Sequence, residues 1–571
     1  MKLKSHFLSR VILKSLLLLI VSLTHFCSGA EIELKNATAI FEKPDIFSRE
    51  TGTLQPGKWQ IKQLPRKTFS VRHPIAYIHN FAELEQGGFI SPDIGINEAG
   101  TPYSIPSSFQ WQTSVMAILI ALLAVMVFFF FKGRKNKTLI PESGAECAFF
   151  ILFAVMLRQI LILSETSFWG NALPCASDEP GYFKAIYDIL HGSFAGPWHF
   201  TVGLGIFYLP FILFTGAKEY YDIAVIFSYT DALVFAPAAL AAGFMVLKGF
   251  QFKNRTAFAA VLMWALYPFF IYHSEYWNKL HFAPILSLPC SFEFVSDWWR
   301  FYAVCINAGF NAMSDTPALL TLLCTLLLAQ KLSFSLRNVF FLGCTFGFCC
   351  LIRINYIFFA PILAFIVLEK IPGKDYKTLL LTFLCALGGF LTLFIWQFLI
   401  NFHQFGNPLT FGYSLHYPDF APEKRPDTGF NWSTLLELRN IKFLVGANKL
   451  LMTTGIAGLL FIRNRSTRIA LTLTAVPLLL FFFGYTHTYC DARRFILPVF
   501  PIFLAAFALG TANLFNVKEK NWKRFLPFMI IPVMLLLWAA PAEIHAICLC
   551  LLLVRTLFDL QQELLRGILR T

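Results

Sequence analysis

Gly203-Leu204-Gly205-Ile206-Phe207-Tyr208-Leu209-Pro210-Phe211-Ile212-Leu213-Phe214-Thr215-Gly216 is apolar enough to cross a membrane, and whether it does so decides how the chain is threaded. Counted as a span, it sends Lys248, Lys253 and Arg255 to the outer side and inverts every later loop. Laid along the outer surface, it leaves six basic clusters on the inner side: Lys132 to Lys135, Lys248 to Arg255, Lys331 to Arg337, Lys370 to Lys377, Arg463 to Arg468 and Lys518 to Arg524. Inner loops carry the excess of Lys and Arg, so the surface placement prevails.

Composition demands a membrane in the first place. Of 571 residues, 57% are hydrophobic and only 14% charged, with a mean hydropathy of +0.61, and no soluble core could hide that much apolar surface. The net charge of +14 does not imply nucleic acid, because the Lys and Arg residues fall in short clusters between apolar runs. Most of the 13 Cys lie within apolar runs and read as small hydrophobes. Cys175, Cys290 and Cys490 fall in outer segments, where a disulfide such as Cys175 to Cys290 is allowed but not fixed by spacing.

Residues 1–30 have a basic start and a short apolar stretch from Leu16 to Leu23, the pattern of a signal peptide or an uncleaved signal anchor. Residues 31–111 lack a membrane-length run and alternate in stretches such as Trp59-Gln60-Ile61-Lys62-Gln63-Leu64, which predicts a small extracytoplasmic β domain. Its order of Ala39-Ile40-Phe41-Glu42-Lys43-Pro44, Gly52-Thr53-Leu54-Gln55-Pro56-Gly57 and Gly87-Gly88-Phe89-Ile90 resembles a bacterial SH3-like barrel, which implies a binding or spacer role.

Beyond it we expect an all-α polytopic body. At about 20 residues per helix, spans are predicted at 113–131, 147–164, 223–247, 256–272, 315–331, 338–352, 355–368, 378–401, 443–462, 469–486, 495–514, 525–541 and 545–558, about thirteen in all. Residues 112–515 would form the main body, and 516–571 a C-terminal transmembrane hairpin with a cytoplasmic tail. The loops at 165–222, 273–314, 402–442 and 487–494 then share the outer face.

Those loops carry the candidate chemistry. Ser177-Asp178-Glu179-Pro180-Gly181-Tyr182-Phe183 presents two adjacent carboxylates in a polar interval, which alone would read as a solvated pair. Asp315, in Met313-Ser314-Asp315-Thr316-Pro317, begins a span, where Ser314 or Asp315 would serve as an N-cap. Arg353 ends one span, Lys449 lies in the first turns of another, and Arg494 opens a third. A charge costs about 2.5 to 3.5 kcal/mol at the bilayer centre and less near the interface, so snorkelling explains each cation singly. Three cations and two acidic motifs on one face suit a phosphate-linked headgroup beside a general base. There is no phosphate-binding loop of the Gly-x-x-x-x-Gly-Lys-Ser/Thr type and no His-Glu-x-x-His.

Asp178-Glu179-x-Gly-Tyr182 just after an early span, with an apolar juxtamembrane stretch about 20 residues later, resembles the first outer loop of the GT-C superfamily of membrane glycosyltransferases. The similarity is nearest to the protein O-mannosyltransferase and aminoarabinose transferase branch. Further motifs follow in order: Ala265-Leu266-Tyr267-Pro268 with Ser274; Ser314-Asp315-Thr316-Pro317; Leu351-Ile352-Arg353-Ile354-Asn355; Asn401 with Gly406-Asn407-Pro408-Leu409 and Tyr413; and Arg494-Phe495-Ile496-Leu497-Pro498. The resemblance covers about residues 113–515. The chain departs from it by the aromatic-rich insertion at 274–314, where Glu275 is an alternative acid to Asp315, and by the N-terminal β domain.

The resemblance implies transfer of a sugar from a polyprenyl-phosphate donor to a lipid, glycan or protein acceptor on the outer face of a membrane, with inversion. A bacterial inner membrane is the expected location. Asp178 or Glu179 would be the base, with Asp315 a further catalytic carboxylate; Arg353, Arg494 and Lys449 would hold the donor phosphate; Tyr182, Glu275, Asn407 and Tyr413 would contact substrate. Some members use a divalent cation, Mg2+ or Mn2+, at the acidic loops; the residues leave that open here and imply no other cofactor. The rival class is a transporter or flippase, for which Asp231 within its span and Arg158 are the signs. Oligomeric state is not legible.

Overall fold

Apart from short interruptions, the computed structural model describes residues 30–90, 151–159, 179–279, 314–411, 431–485, 496–515 and 533–568. At the N-terminal end lie seven short strands: β1 (Ala30–Leu34), β2 (Thr38–Phe41), β3 (Glu50–Leu54), β4 (Gly57–Ile61), β5 (Arg66–Arg72), β6 (Ile75–Glu83) and β7 (Phe89–Ile90). All pairings are antiparallel, in one sheet of order β3-β2-β7-β6-β5 and a β1-β4 ribbon. Phe41, Leu54, Leu84 and Ile90 are buried there. Gly88 sits at φ +84, and a Cβ there would lie 2.5 Å from the Ile40 side chain, so that turn needs glycine. A small antiparallel sheet is therefore present in the N-terminal stretch.

Most of the remaining described chain is helical. The helices are α1 (Glu179–Leu190), α2 (Gly203–Thr215), α3 (Ala236–Gly249, entered through a π-helical turn at Asp231–Phe235), α4 (Asn254–Lys279), α5 (Asp315–Lys331), α6 (Leu336–Ile352), α7 (Ala360–Leu368, entered through a 3-10 turn at Ile354–Phe359), α8 (Tyr376–Phe405), α9 (Trp432–Leu436), α10 (Arg439–Ala447), α11 (Lys449–Phe461), α12 (Arg465–Phe483), α13 (Val499–Phe515) and α14 (Ala542–Ile568).

α8 shows the environment most directly. Asp375 caps its start, accepting from the Thr378 amide at 2.9 Å, and Gly406 at φ +69 closes its end. Only 17% of its apolar stretch is buried inside the protein, and Phe383, Leu384, Leu387, Ile395, Trp396, Leu399 and Phe402 face outward. Water would not tolerate such a face; lipid would. Its inner face packs closely on α6: a Cβ at Gly347 would stand 2.6 Å from the Phe390 carbonyl. Small residues that let helix backbones approach are how membrane helices pack when the surrounding lipid is as apolar as their side chains.

Among the described residues, three helical runs are long and apolar enough to cross a membrane: Asp231–Gly249, Tyr376–Phe405 and Arg465–Phe483. Five shorter apolar helices accompany them, including Leu336–Ile352 and Ile354–Leu368. Several boundaries differ from the sequence reading. α4 continues to Lys279, so Glu275 lies on a helix and not in a loop. The predicted span 443–462 is divided between α10 and α11, and the outer stretches 165–222 and 402–442 contain α1, α2, α9 and part of α10. Leu549 and Leu552 of α14 join the same hydrophobic core as the main body. The predicted span 113–131, the signal segment up to residue 29, and the Cys175–Cys290 pair fall outside the described residues.

Polar contacts gather at the two ends of the bundle. At one end, Gln330 Nε2 donates to the Val246 carbonyl, and Lys370 Nζ donates to the carbonyls of Gln330 and Leu332 at the C-terminus of α5. Thr467 there reaches the Phe250 carbonyl, while Arg468 pairs with Asp559 at 3.0 Å. At the other end, Asp315, Arg353 and Tyr182 meet, and Lys442 pairs with Glu543 at 3.4 Å. Both flanks of α2 belong to this second end. Gly203 abuts the backbone of Leu351 and Ile352, and Tyr220, just beyond the helix, packs edge-on against Phe183. The residues flanking α2 thus make contacts at one end, and at 13 residues, about 20 Å, the helix is shorter than about 30 Å of hydrocarbon, as are the other short apolar helices.

Candidate functional site

The site begins with a break in the chain. α6 stops at Ile352, and Arg353 adopts an extended conformation, φ −151 and ψ 105, before the 3-10 turn starts. That break turns the Arg353 side chain inward, where Nη1 donates to Oδ1 of Asp315 in an ion pair. The two side chains are 7% and 0% exposed. Snorkelling, which would explain Arg353 taken singly, does not occur: inside the bundle the guanidinium pairs with a carboxylate and does not reach the interface.

Asp315 is the first residue of α5 and Ser314 its N-cap, yet the Ser314 side chain makes no capping bond. The expected cap is replaced by two other bonds. The Asp315 carboxylate goes to Arg353, at the positive end of the α5 dipole, and the Ser314 hydroxyl shares a 3.1 Å hydrogen bond with the Tyr182 hydroxyl. Tyr182 is buried on α1 and stacks on Phe200 with ring centroids 4.2 Å apart. One helical turn before Tyr182 lies Glu179, the first residue of α1. The acidic stretch is thereby tied to the Asp315 end of the bundle.

α1 and α2 are fastened by polar side chains from α8. The Trp198 amide donates to Gln404 Oε1 at 3.1 Å, and the Val202 amide to Gln397 Oε1 at 3.2 Å. Within this hairpin, Trp198 Nε1 and Lys184 Nζ both donate to Asp188. Asn401 accepts from Gln397 and donates to the Pro408 carbonyl, which holds the turn after α8. Asn407, expected to contact substrate, is exposed and accepts from the Leu409 amide at 2.9 Å, a turn-forming bond.

Deeper in the bundle lies Asp231, fully buried at the start of the π-helical turn. It is within electrostatic range of Asp315, and neither of its carboxylate oxygens has a hydrogen-bond partner. The buried Tyr356 hydroxyl, near Arg353 and Asp315, is likewise unpartnered. Sequence reading treated Asp231 only as a sign of transport and missed Tyr356, Gln159 and Gln397. The available signal was a single polar residue inside an apolar run, as at Gln159 and Gln397.

The structure thus joins Tyr182, Ser314, Asp315 and Arg353. Asp178, Tyr413 and Arg494 lie outside the described residues, and of Glu179, Glu275 and Lys449 the backbone alone is described. Lys449 begins α11 one turn before Thr453, which contacts His545 of α14 near the Lys442–Glu543 pair. Among the described residues no group of three or more His, Cys, Asp or Glu side chains is arranged to hold a metal ion. A buried carboxylate–guanidinium pair beside hydroxyl donors can bind an anionic group at the guanidinium and orient a hydroxyl nearby. Neither a scan of the chain against protein-family models nor a search of characterised proteins returned a match.

Proposed function

We propose that this chain is a membrane glycosyltransferase that moves a sugar from a polyprenyl-phosphate donor to an acceptor on the outer face, with inversion. The observation that carries the proposal is the junction of α1, α5 and α6, where Tyr182 meets Ser314 beside the Asp315–Arg353 pair. Tyr182, three residues after Glu179, and two further motifs of the GT-C resemblance, far apart in sequence, are close at that junction.

In this reading Asp178 or Glu179 takes the acceptor proton as the acceptor attacks the anomeric carbon. Arg353, oriented by Asp315, meets the donor phosphate with Arg494 and Lys449, and the developing negative charge is stabilised where the sugar–phosphate bond breaks. The lipid phosphate is a good leaving group and needs no acid. The SH3-like N-terminal domain would serve as a binding or spacer module.

A polytopic body of about thirteen spans accords with the two polar ends. On α14, Glu543 pairs with Lys442 at one end, and Asp559, sixteen residues on and about 24 Å along the axis, pairs with Arg465 and Arg468 at the other. Exposed Lys253, Arg255, Lys331, Arg337, Lys377 and Arg463 lie at or next to the Gln330 end and suit a cytoplasmic surface. The Asp315 end would then face outward. Transport is the second reading, favoured by buried Asp231 inside a span.

The test supplies membranes containing the protein with radiolabelled polyprenyl-phosphate sugars. We expect transfer by wild type and its loss in Asp178→Asn with normal membrane insertion. Undiminished transfer in that variant removes the base assignment, and full activity in Arg494→Ala counts against the phosphate site.

A further inference from the structure

We infer that the start of α12 and the neighbouring stretch of α14 form a binding site for the headgroup of an anionic phospholipid, a site that does not depend on the glycosyl-transfer reading. It lies at the Gln330 end of the bundle, away from the Asp315 junction, where Thr467 of α12 reaches the Phe250 carbonyl.

α12 opens at Arg465 with Asn464 as its N-cap, so the positive end of its dipole is at this corner. Two arginines near that start converge on one acid of α14. Arg468 Nη2 donates to Asp559 Oδ2 at 3.0 Å, Arg465 Nε stands 3.3 Å from Oδ1, and Arg465 Nη2 donates to the Asp559 carbonyl. Arg468 Nη1 also reaches the Ile462 carbonyl at 3.2 Å. These acceptors leave donors over: Arg468 is only 9% exposed, yet its Nε has no partner. The Arg465 side chain, 26% exposed, is the one that an incoming anion meets, with the charge of Arg468 behind it.

Charge and polarity together select the ligand. Exposed Arg463 precedes α12, and exposed Arg555 stands one turn before Asp559. Glu369, the other acid described here, accepts from the Ser466 hydroxyl at 2.7 Å and is followed by Lys370. Farther along α14, Glu563 and Arg566 offset each other in charge. The excess of guanidinium over carboxylate suits a phosphate, whose oxygens match the guanidinium fork. A lipid phosphate, in preference to a free one, is selected by α14. Leu551, Val554 and Phe558 are exposed at helical spacing and lead up to Arg555 and Asp559. A headgroup held by the arginines would lay its acyl chains along that stripe, and basic pockets beside membrane helices are where anionic headgroups bind.

In the experiment the full chain, purified in an uncharged detergent, is titrated with phosphatidylglycerol, with phosphatidylcholine of the same acyl chains and with inorganic phosphate. Bound lipid and the unfolding midpoint are read. Phosphatidylglycerol is expected to bind saturably and raise the midpoint, and the other two to do neither. Arg463→Gln should weaken binding about fivefold and Arg465→Gln roughly tenfold, while Lys442→Gln, at the opposite end of the bundle, keeps the wild-type affinity. If Arg465→Gln does not fold, exposed Arg463→Gln decides. The inference is overturned if phosphatidylcholine binds as well, if inorganic phosphate alone gives the shift, if Lys442→Gln weakens binding as much, or if neither arginine variant weakens it. Since none of these readouts measures sugar transfer, failure here and failure of the transferase reading are separable.

Discussion

Replacing Arg353 with Ala should be among the most damaging single changes in the helical body. Asp315 is fully buried and its partner only 7% exposed, so the substitution leaves a carboxylate with its charge unpaired in low dielectric. Breaking a buried pair on one side costs about 3–5 kcal/mol, because the remaining ion keeps its desolvation penalty and loses the compensating attraction. A surface pair would lose only about 0–1 kcal/mol. The two cases are far enough apart to be told apart by equilibrium unfolding of the purified protein. The double variant Asp315→Leu with Arg353→Met removes both charges at similar volume and should recover most of the loss. If the chain is the proposed transferase, sugar transfer should remain absent in it, since the guanidinium proposed to meet the donor phosphate is gone. A loss below about 1 kcal/mol for Arg353→Ala would refute the buried pair. Failure of the double variant to recover any stability would show that the penalty is not one of unpaired charge.

Other outcomes follow from the same geometry. Tyr182→Phe keeps the stacking on Phe200 and removes one buried hydroxyl bond, so it should lower stability by about 0.5–1.5 kcal/mol, and Ser314→Ala should add little to it in a double-mutant cycle. Gly347→Leu should prevent α6 from docking on α8, read as loss of folded protein on expression, because even a Cβ meets the Phe390 carbonyl. Hydrogen bonds from the Thr378 side chain and amide hold the Asp375 carboxyl below its ordinary value, so its cap stabilises α8 at neutral pH and is lost as pH falls through that lowered value. Hydrogen exchange in the first turn of α8 should quicken on acidification in wild type and be insensitive to it in Asp375→Ala. Reporter fusions at Lys253 and Gly406 should report the cytoplasm and the outer side respectively, and a cytoplasmic signal at Gly406 would reverse the threading.

Much of the architecture is legible in residue order. Membrane-length apolar runs, basic clusters between them and an alternating N-terminal segment predict a helical body and a β domain because burial and hydrogen bonding impose those patterns locally. The helix stops are also local: Asp375 and Gly406 bound α8 by capping chemistry. Less legible were the junctions where helices continue past an expected end. α4 runs to Lys279 through Tyr276 and Trp277, aromatic residues that serve a helix as well as an interfacial loop.

The candidate site divides along the same line. By itself the sequence determined which polar residues stand at the ends of apolar runs, Asp315 and Arg353 among them, since a charge beside an apolar run is visible in one dimension. Whether each would cap, snorkel or pair was undecided, because these alternatives differ only in what lies across from the residue. Tertiary structure decided it by breaking α6 at Arg353 beside the start of α5, so that ion pairing replaced snorkelling and the Ser314 hydroxyl turned to Tyr182. It likewise left Asp231 without a partner, a property that depends on the packing of helices and that no local pattern encodes.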